Sequence, residues 1–175
     1  MGLRQVRQRG DAILSKKCKT VKEITPSIIA LLEDMKETLY DKDGVGIAAP
    51  QVGVLKRICI VAHEDDYYEL INPEILEEEG TQACNEACLS VAGLCGDLYR
   101  PFKITVRALD RNGEEFTVTA EDFLASVFCH ELDHLDGIIF IDKAINIRPI
   151  EEEEIRKSRR GRAKIKRLRR FPKEV

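Results

Sequence analysis

The stretch Cys129-His130-Glu131-Leu132-Asp133-His134-Leu135-Asp136-Gly137 constrains this chain more than any other. It carries H-E-x-x-H inside an apolar rhythm. Phe123, Leu124, Val127, Phe128, Leu132 and Leu135 recur at helical spacing, and Gly137 supplies a stop. On a helix, residues four apart project from the same face. His130 and His134 can therefore bring two imidazole nitrogens to one metal ion, with Glu131 beside them as a candidate general base. The chain has three histidines, and two of them fall at this spacing, which a solvated helix with idle histidines explains poorly.

A catalytic tetrahedral site needs a third protein ligand and one position left for water. No histidine follows His134, and the later acids, Asp142 and the run Glu151 to Glu154, have no diagnostic spacing. Thiols are the other source. Six cysteines are present: Cys18, Cys59, Cys84, Cys88, Cys95 and Cys129. Without a secretory signal they are expected to be reduced, most of them as small buried hydrophobes and one as a ligand. Spacing alone leaves Cys84, Cys88 and Cys95 open. Cys129 adjoins His130, so its side chain points about 100° away from the imidazole and makes a poor ligand.

At 175 residues, 43% apolar and 34% charged, the chain has the size and composition of one globular domain with a charged appendage. No apolar run approaches a membrane span, and the opening Met1-Gly2-Leu3-Arg4-Gln5-Val6 lacks a signal-peptide core. The expected location is cytoplasmic. With a net charge of −3 the chain as a whole is no polyanion binder.

Thr25-Pro26 opens a helix, with Thr as cap and Pro in the first turn, and Ile28, Ile29, Leu31, Leu32, Met35 and Leu39 form its buried stripe. The Gly-rich segment 44–53 is a poor nucleotide loop, since no strand precedes it. Its small residues suit close backbone approach and an unpaired edge that takes up a peptide as an added strand. Strands are expected over 57–62 and 67–75, the second bent or at an edge because of Asn72-Pro73. Residues 104–109 should pair with 115–119 across Asp110-Arg111-Asn112-Gly113. Residues 80–101 read as a Cys-bearing loop. The expected fold class is α+β: a single domain of antiparallel sheets packed around a central H-E-x-x-H helix, followed by a charged C-terminal helix or tail. The boundary falls at residue 148, where composition changes, giving a domain over 1–148 and an appendage over 149–175. That appendage has an acidic block and then a densely basic run from Arg156 to Arg170. Such a run suits either a solvated tail or contact with nucleic-acid phosphate.

Three ordered motifs resemble those of the peptide deformylase family: Gly44-Val45-Gly46-Ile47-Ala48-Ala49-Pro50-Gln51, Glu86-Ala87-Cys88-Leu89-Ser90 and the Cys129 to Gly137 helix. The similarity also takes in Gly10-Asp11 with Leu14, Ile71-Asn72-Pro73, Arg100-Pro101 and the hairpin, roughly residues 1–143. The resemblance implies that Cys88 is the third metal ligand, beside His130 and His134. It implies a metal-dependent hydrolase that removes the N-formyl group from formylmethionine on nascent polypeptides and releases formate. The implied metal is one divalent ion, Fe(II) natively, with Zn, Ni or Co able to occupy the site. Glu131 becomes the proton carrier, and the Gln51 side-chain amide and Leu89 backbone N–H become donors to the oxyanion. Val45, Phe123 and Val127 line a pocket for the methionine side chain, and Gly46 accepts the peptide backbone. Partners are nascent peptides and, through the basic segment, the ribosome; no membrane contact is expected, and the chain is read as a monomer.

Three positions depart from the family pattern. Ala87 stands where the family has Gly, Ala92 replaces a Pro, and Cys129 replaces a Gln. An Ala87 forced to positive φ would strain the loop that bears Cys88. Two rival readings follow: a catalytically weak deformylase relative, and a metallopeptidase built on the same H-E-x-x-H helix.

Overall fold

A computed structural model describes residues 2–151. The basic run from Arg156 onward, with most of the expected appendage, lies outside them.

Helix α1 (Pro26–Asp41) starts where Pro26 presets the backbone. Thr25 is the N-cap, but its hydroxyl bonds the Ser27 hydroxyl at 2.7 Å, not a backbone amide. The cap works through the Thr25 carbonyl, which accepts from Ile28 N–H at 2.9 Å. Ile28, Leu31, Leu32, Met35 and Leu39 are buried as the periodicity predicts, while Ile29 is half-buried at the edge of the stripe.

Five strands make the larger sheet in the order β1-β2-β3-β6-β7, all antiparallel. They are β1 (Gly46–Ala48), β2 (Ile58–His63), β3 (Asp66–Glu79), β6 (Lys103–Leu109) and β7 (Glu115–Glu121). β1 is an edge strand, as its small residues suggest. β2 is buried on both faces, and its side chains alternate between two cores. Ile58, Ile60 and Ala62 pack with α1. Cys59 and Val61 pack with the second helix, α2 (Asp122–Leu135), through Phe128, Leu132 and Leu135.

β3 is central, not an edge strand. It absorbs Asn72-Pro73 through a register shift between Ile71 and Glu74, with Asn72 at φ 54°. The Asn72 amide replaces the lost pairing, accepting from Val21 N–H at 2.8 Å and donating to Val21 O at 2.9 Å. The β6–β7 hairpin forms where expected. Only Gly113 takes positive φ there, and the Asp110 carboxylate accepts from Asn112 N–H at 2.8 Å and Glu114 N–H at 2.9 Å.

Residues 80–101 are not a loop. They form β4 (Gln82–Cys88) and β5 (Val91–Arg100), joined by the turn Leu89-Ser90. With β8 (Ile145–Pro149) they make a three-stranded sheet in the order β4-β5-β8. The residues of β4 that turn inward are Gln82, Cys84, Glu86 and Cys88, so its alternation carries no apolar signal. β8 is almost wholly exposed, and the boundary expected at residue 148 falls inside it.

The first residues brace both sheets. Arg7 N–H donates to Gln51 O and Arg9 N–H to Ser90 O, each at 2.7 Å, and Cys18 N–H donates to Leu135 O at 2.8 Å. Helix α2 ends in a paired cap: Ile138 N–H donates to Asp133 O at 3.0 Å and Gly137 N–H to His134 O at 3.2 Å. Gly137 has φ +76°, and a Cβ there would stand 2.7 Å from the Ser15 carbonyl carbon. All six cysteines are free, and no helix among the described residues is long and apolar enough to cross a membrane.

Gly137→Ala should therefore cost about 2–3 kcal/mol, combining left-handed strain with the clash on Ser15. Urea denaturation of the two proteins measures it; a loss under about 0.5 kcal/mol, the range of an ordinary surface substitution, would contradict this account of the helix stop.

Candidate active site

β4 and α2 bring the site together. Cys88 ends β4, and His130 and His134 lie one turn apart on α2. The ligand atoms of these three residues fall within 4.8 Å of one another. Cys88 Sγ stands 3.3 Å from His134 Nε2, and the two imidazoles meet edge to face with centroids 4.9 Å apart. The other thiols stay out of this cluster. Cys84 is four residues back on β4, about 13 Å along a strand. Cys95 sits opposite Ala87 in the β4–β5 ladder. Cys129 lines a separate polar cavity with Arg57, Tyr99 and Arg100, as its angle on the helix predicts.

Behind His130 runs a chain of charged groups that sequence reasoning gave no role. His130 Nδ1 and Glu86 Oε2 are 2.8 Å apart. Arg100 donates to both Glu86 oxygens, from Nε at 2.7 Å and from Nη2 at 3.0 Å, and from Nη1 to Asp133 at 2.6 Å. Lys143 donates to the other Asp133 oxygen at 2.7 Å. Glu86 is 8% exposed and Arg100 5%. Burial opposes the Glu86 charge, yet His130 and Arg100 hold its carboxyl down at about 2. The one signal available was position: Glu86 lies two residues before Cys88 on the same strand face, and Asp133 three after His130.

His130 itself is buried, which works against a charged ring, but Cys88 and Glu86 raise its affinity for a proton well above the ordinary imidazole value. Burial and the neighbouring His130 push His134 the other way. A half-buried sulfur beside two imidazoles also fits a cation. Glu131 adds to the fit. It is 3% exposed, its Oε2 has no hydrogen-bond partner, and burial pushes its carboxyl up to about 7. One thiol and two imidazoles, with an unpartnered carboxylate beside them, suit a divalent transition metal.

Gln51 is buried and aimed by β1. Its Oε1 accepts from Ala48 N–H at 2.8 Å, and its Nε2 faces Ser90 Oγ at 3.1 Å and Cys88 Sγ at 3.4 Å. Ser90, also without an assigned role in the sequence, is fully buried, and its N–H lies 3.4 Å from Cys88 Sγ. Gln51, Cys88, Leu89, His130 and Glu131 all line one cavity of about 420 Å³. Val45 and Gly46 line it from the β1 side, and Phe123 and Val127 from α2. Val127 is buried, while Phe123 is half exposed with its ring against His63. The cavity thus lies between two sheet edges, β1 of the larger and β4 of the smaller. Ala87 lies in β4 and is not among the described residues with positive φ, so the expected strain is absent.

A family model described as Polypeptide deformylase matches residues 3–149. A peptide deformylase of Thermoanaerobacter pseudethanolicus is 50% identical over 154 residues, 88% of this chain and 97% of that one. One from Acetivibrio thermocellus is 49% identical over 166 residues, covering 95% and 98%. Among solved structures, the peptide deformylase of Thermotoga maritima superposes with a TM-score of 0.80 at 36% identity, over 82% of this chain and 98% of that one. A Met-Ala-Ser-bound class I type b peptide deformylase of Acinetobacter baumannii gives 0.78 at 33%, over 81% and 98%.

Two outcomes are expected behind His130. Arg100→Met leaves Glu86 buried without its guanidinium, while Asp133 keeps Lys143, and should cost about 3–5 kcal/mol in denaturant unfolding. Glu86→Gln keeps the shape but weakens the grip on the ring, and should lower metal affinity about 10–100-fold in chelator competition. Unchanged affinity would make Glu86 a purely structural partner of Arg100.

Proposed function

The chain belongs to the polypeptide deformylase family, and we propose how its residues divide the work of removing the N-formyl group from nascent polypeptides. The observation that supports this division is the convergence of Cys88, His130 and His134 beside a buried, half-unpartnered Glu131.

In this reading Cys88, His130 and His134 hold one divalent ion, Fe(II) natively, with Zn, Ni or Co able to replace it. When bound, the ion supplies Lewis-acid chemistry to water and to the formyl carbonyl. Glu131 takes a proton from the attacking water and delivers it to the departing amine. Its burial in the cavity wall beside the proposed ligands suits a group that carries a proton between water and amine. The Gln51 amide donates to the oxyanion that forms on the formyl carbon, turning from its bond to Ser90 Oγ. The Leu89 N–H donates beside it. Val45, Phe123 and Val127 take the methionine side chain, and the substrate backbone pairs along β1 at Gly46. That the Acinetobacter relative binds Met-Ala-Ser supports a peptide that begins with methionine as the ligand class. The basic residues from Arg156 to Arg170 have the charge to meet ribosomal RNA. The enzyme works as a cytoplasmic monomer.

Formate release from a formyl-Met peptide, assayed anaerobically with metal content measured, tests the reading. Glu131→Ala should retain the metal and lose turnover. Gln51→Ala should lower kcat about 10²–10³-fold, and Leu89→Ala should be milder because only its backbone takes part. Cleavage of internal peptide bonds without formate release would instead indicate a metallopeptidase.

A further inference from the structure

Glu131 occupies a space that only glycine leaves open. β1 passes α2 with its backbone against the carboxylate. A Cβ built on Gly46 would overlap Glu131 Oε1 and stand 2.7 Å from Cδ and 2.8 Å from Cγ. Because Cγ is among the clashing atoms, turning the carboxylate alone gives no relief; the whole side chain must leave its place. Neither wall yields easily. Gly46 is paired with Val61, and the Val45 carbonyl accepts from Ala62 N–H at 2.8 Å. Glu131 is 3% exposed and sits mid-helix between two residues that face the cavity's metal-binding cluster. The neighbouring Gly44 differs: a Cβ there is tight only against the terminal Cδ1 atoms of Leu39 at 2.6 Å and Leu89 at 3.1 Å, flexible side-chain ends, with the Gly46 carbonyl at an ordinary 3.5 Å and no Glu131 atom among its nearest contacts.

We propose that Gly46 is a positioning residue for the reaction, its missing side chain being the seat that fixes the Glu131 carboxylate at the cavity floor. This rests on Glu131 as the proton carrier. It is separate from any pairing of the substrate with β1, which uses the Gly46 backbone and needs no particular space at Cβ. The same short strand aims the Gln51 amide through Ala48 N–H, so β1 orients two reacting groups.

A double-mutant cycle on the metal-loaded enzyme tests the seat, reading kcat, KM and metal content with formyl-Met peptide. Gly46→Ala should lower kcat about 10²-fold with metal retained, the effect of a misplacement near 1 Å. Glu131→Asp, one methylene shorter, should also lower kcat on its own. In the Gly46→Ala background it should cost at least about tenfold less, because the added methyl has already driven the carboxylate from the place that the shorter side chain also fails to reach. Gly44→Ala should show no such coupling. Equal losses from Glu131→Asp in both backgrounds, or a Gly46→Ala effect confined to KM, would overturn the proposal while leaving Glu131 as proton carrier. An unimpaired Glu131→Asp enzyme would likewise overturn the seat, whereas an unimpaired Glu131→Ala enzyme would overturn the proton-carrier role. If Gly46→Ala alone fails to fold, Gly46→Ala/Glu131→Ala must fold with a melting temperature near that of Glu131→Ala. Failure there also refutes the seat.

Discussion

An imidazole, a carboxylate and a guanidinium lie side by side under the surface of this protein, and each is tolerable only because of the next. A buried ion costs several kcal/mol in lost hydration, and a partner offsets that only with good geometry and full hydrogen bonding. Here Arg100 grips Glu86 with two nitrogens and Asp133 with a third, while Glu86 keeps an oxygen for His130. Arg100 is on β5, Glu86 on β4, and Asp133 and His130 on α2. One cation therefore ties the smaller sheet to the helix at the point where thiol and imidazoles must meet.

The larger sheet solves a different problem. With α1 on one face and α2 on the other, β2 must be apolar throughout, and its side chains feed two cores in alternation. That gives α2 a rigid wall and leaves β1 as a short edge running past Glu131. The smaller sheet closes on the opposite side with Cys88 at the end of its own edge strand. The catalytic cleft is the gap between two edges whose backbones are not spent on each other.

What could be read from the sequence follows from this division. Both helices show in their periodicity, and so does the β6–β7 hairpin, because apolar residues there face apolar cores. β4 was invisible because its inward side chains, Gln82, Cys84, Glu86 and Cys88, serve the site and not a core. β8 was invisible because it buries almost nothing. Thr25 marked the start of α1 correctly, yet its hydroxyl took a partner that spacing cannot foresee. In the site, His130, Glu131 and His134 stood out because helical spacing constrains them jointly. Cys88 could be separated from Cys84 and Cys95 only by resemblance. Arg100 and Ser90 lie in segments that carry the resemblance but have no diagnostic spacing of their own; Arg100 reaches from β5 to Glu86 on β4, and Ser90 sits in the turn after Cys88.

The bracing by the first residues bears on how the chain matures. Ser90 is more than eighty positions from Arg9 and Leu135 more than a hundred from Cys18, so these bonds close very large loops. Contacts of such separation form late and slow folding. During synthesis the leading segment emerges long before its docking partners exist. Gln51 and Ser90, which flank the thiol, can take their bonds from Arg7 and Arg9 once residue 90 is made, whereas the Cys18 bond must wait for the end of helix α2. An enzyme that acts on the starts of other growing chains thus depends, for its own last ordering step, on joining Cys18 to a helix end made more than a hundred positions later.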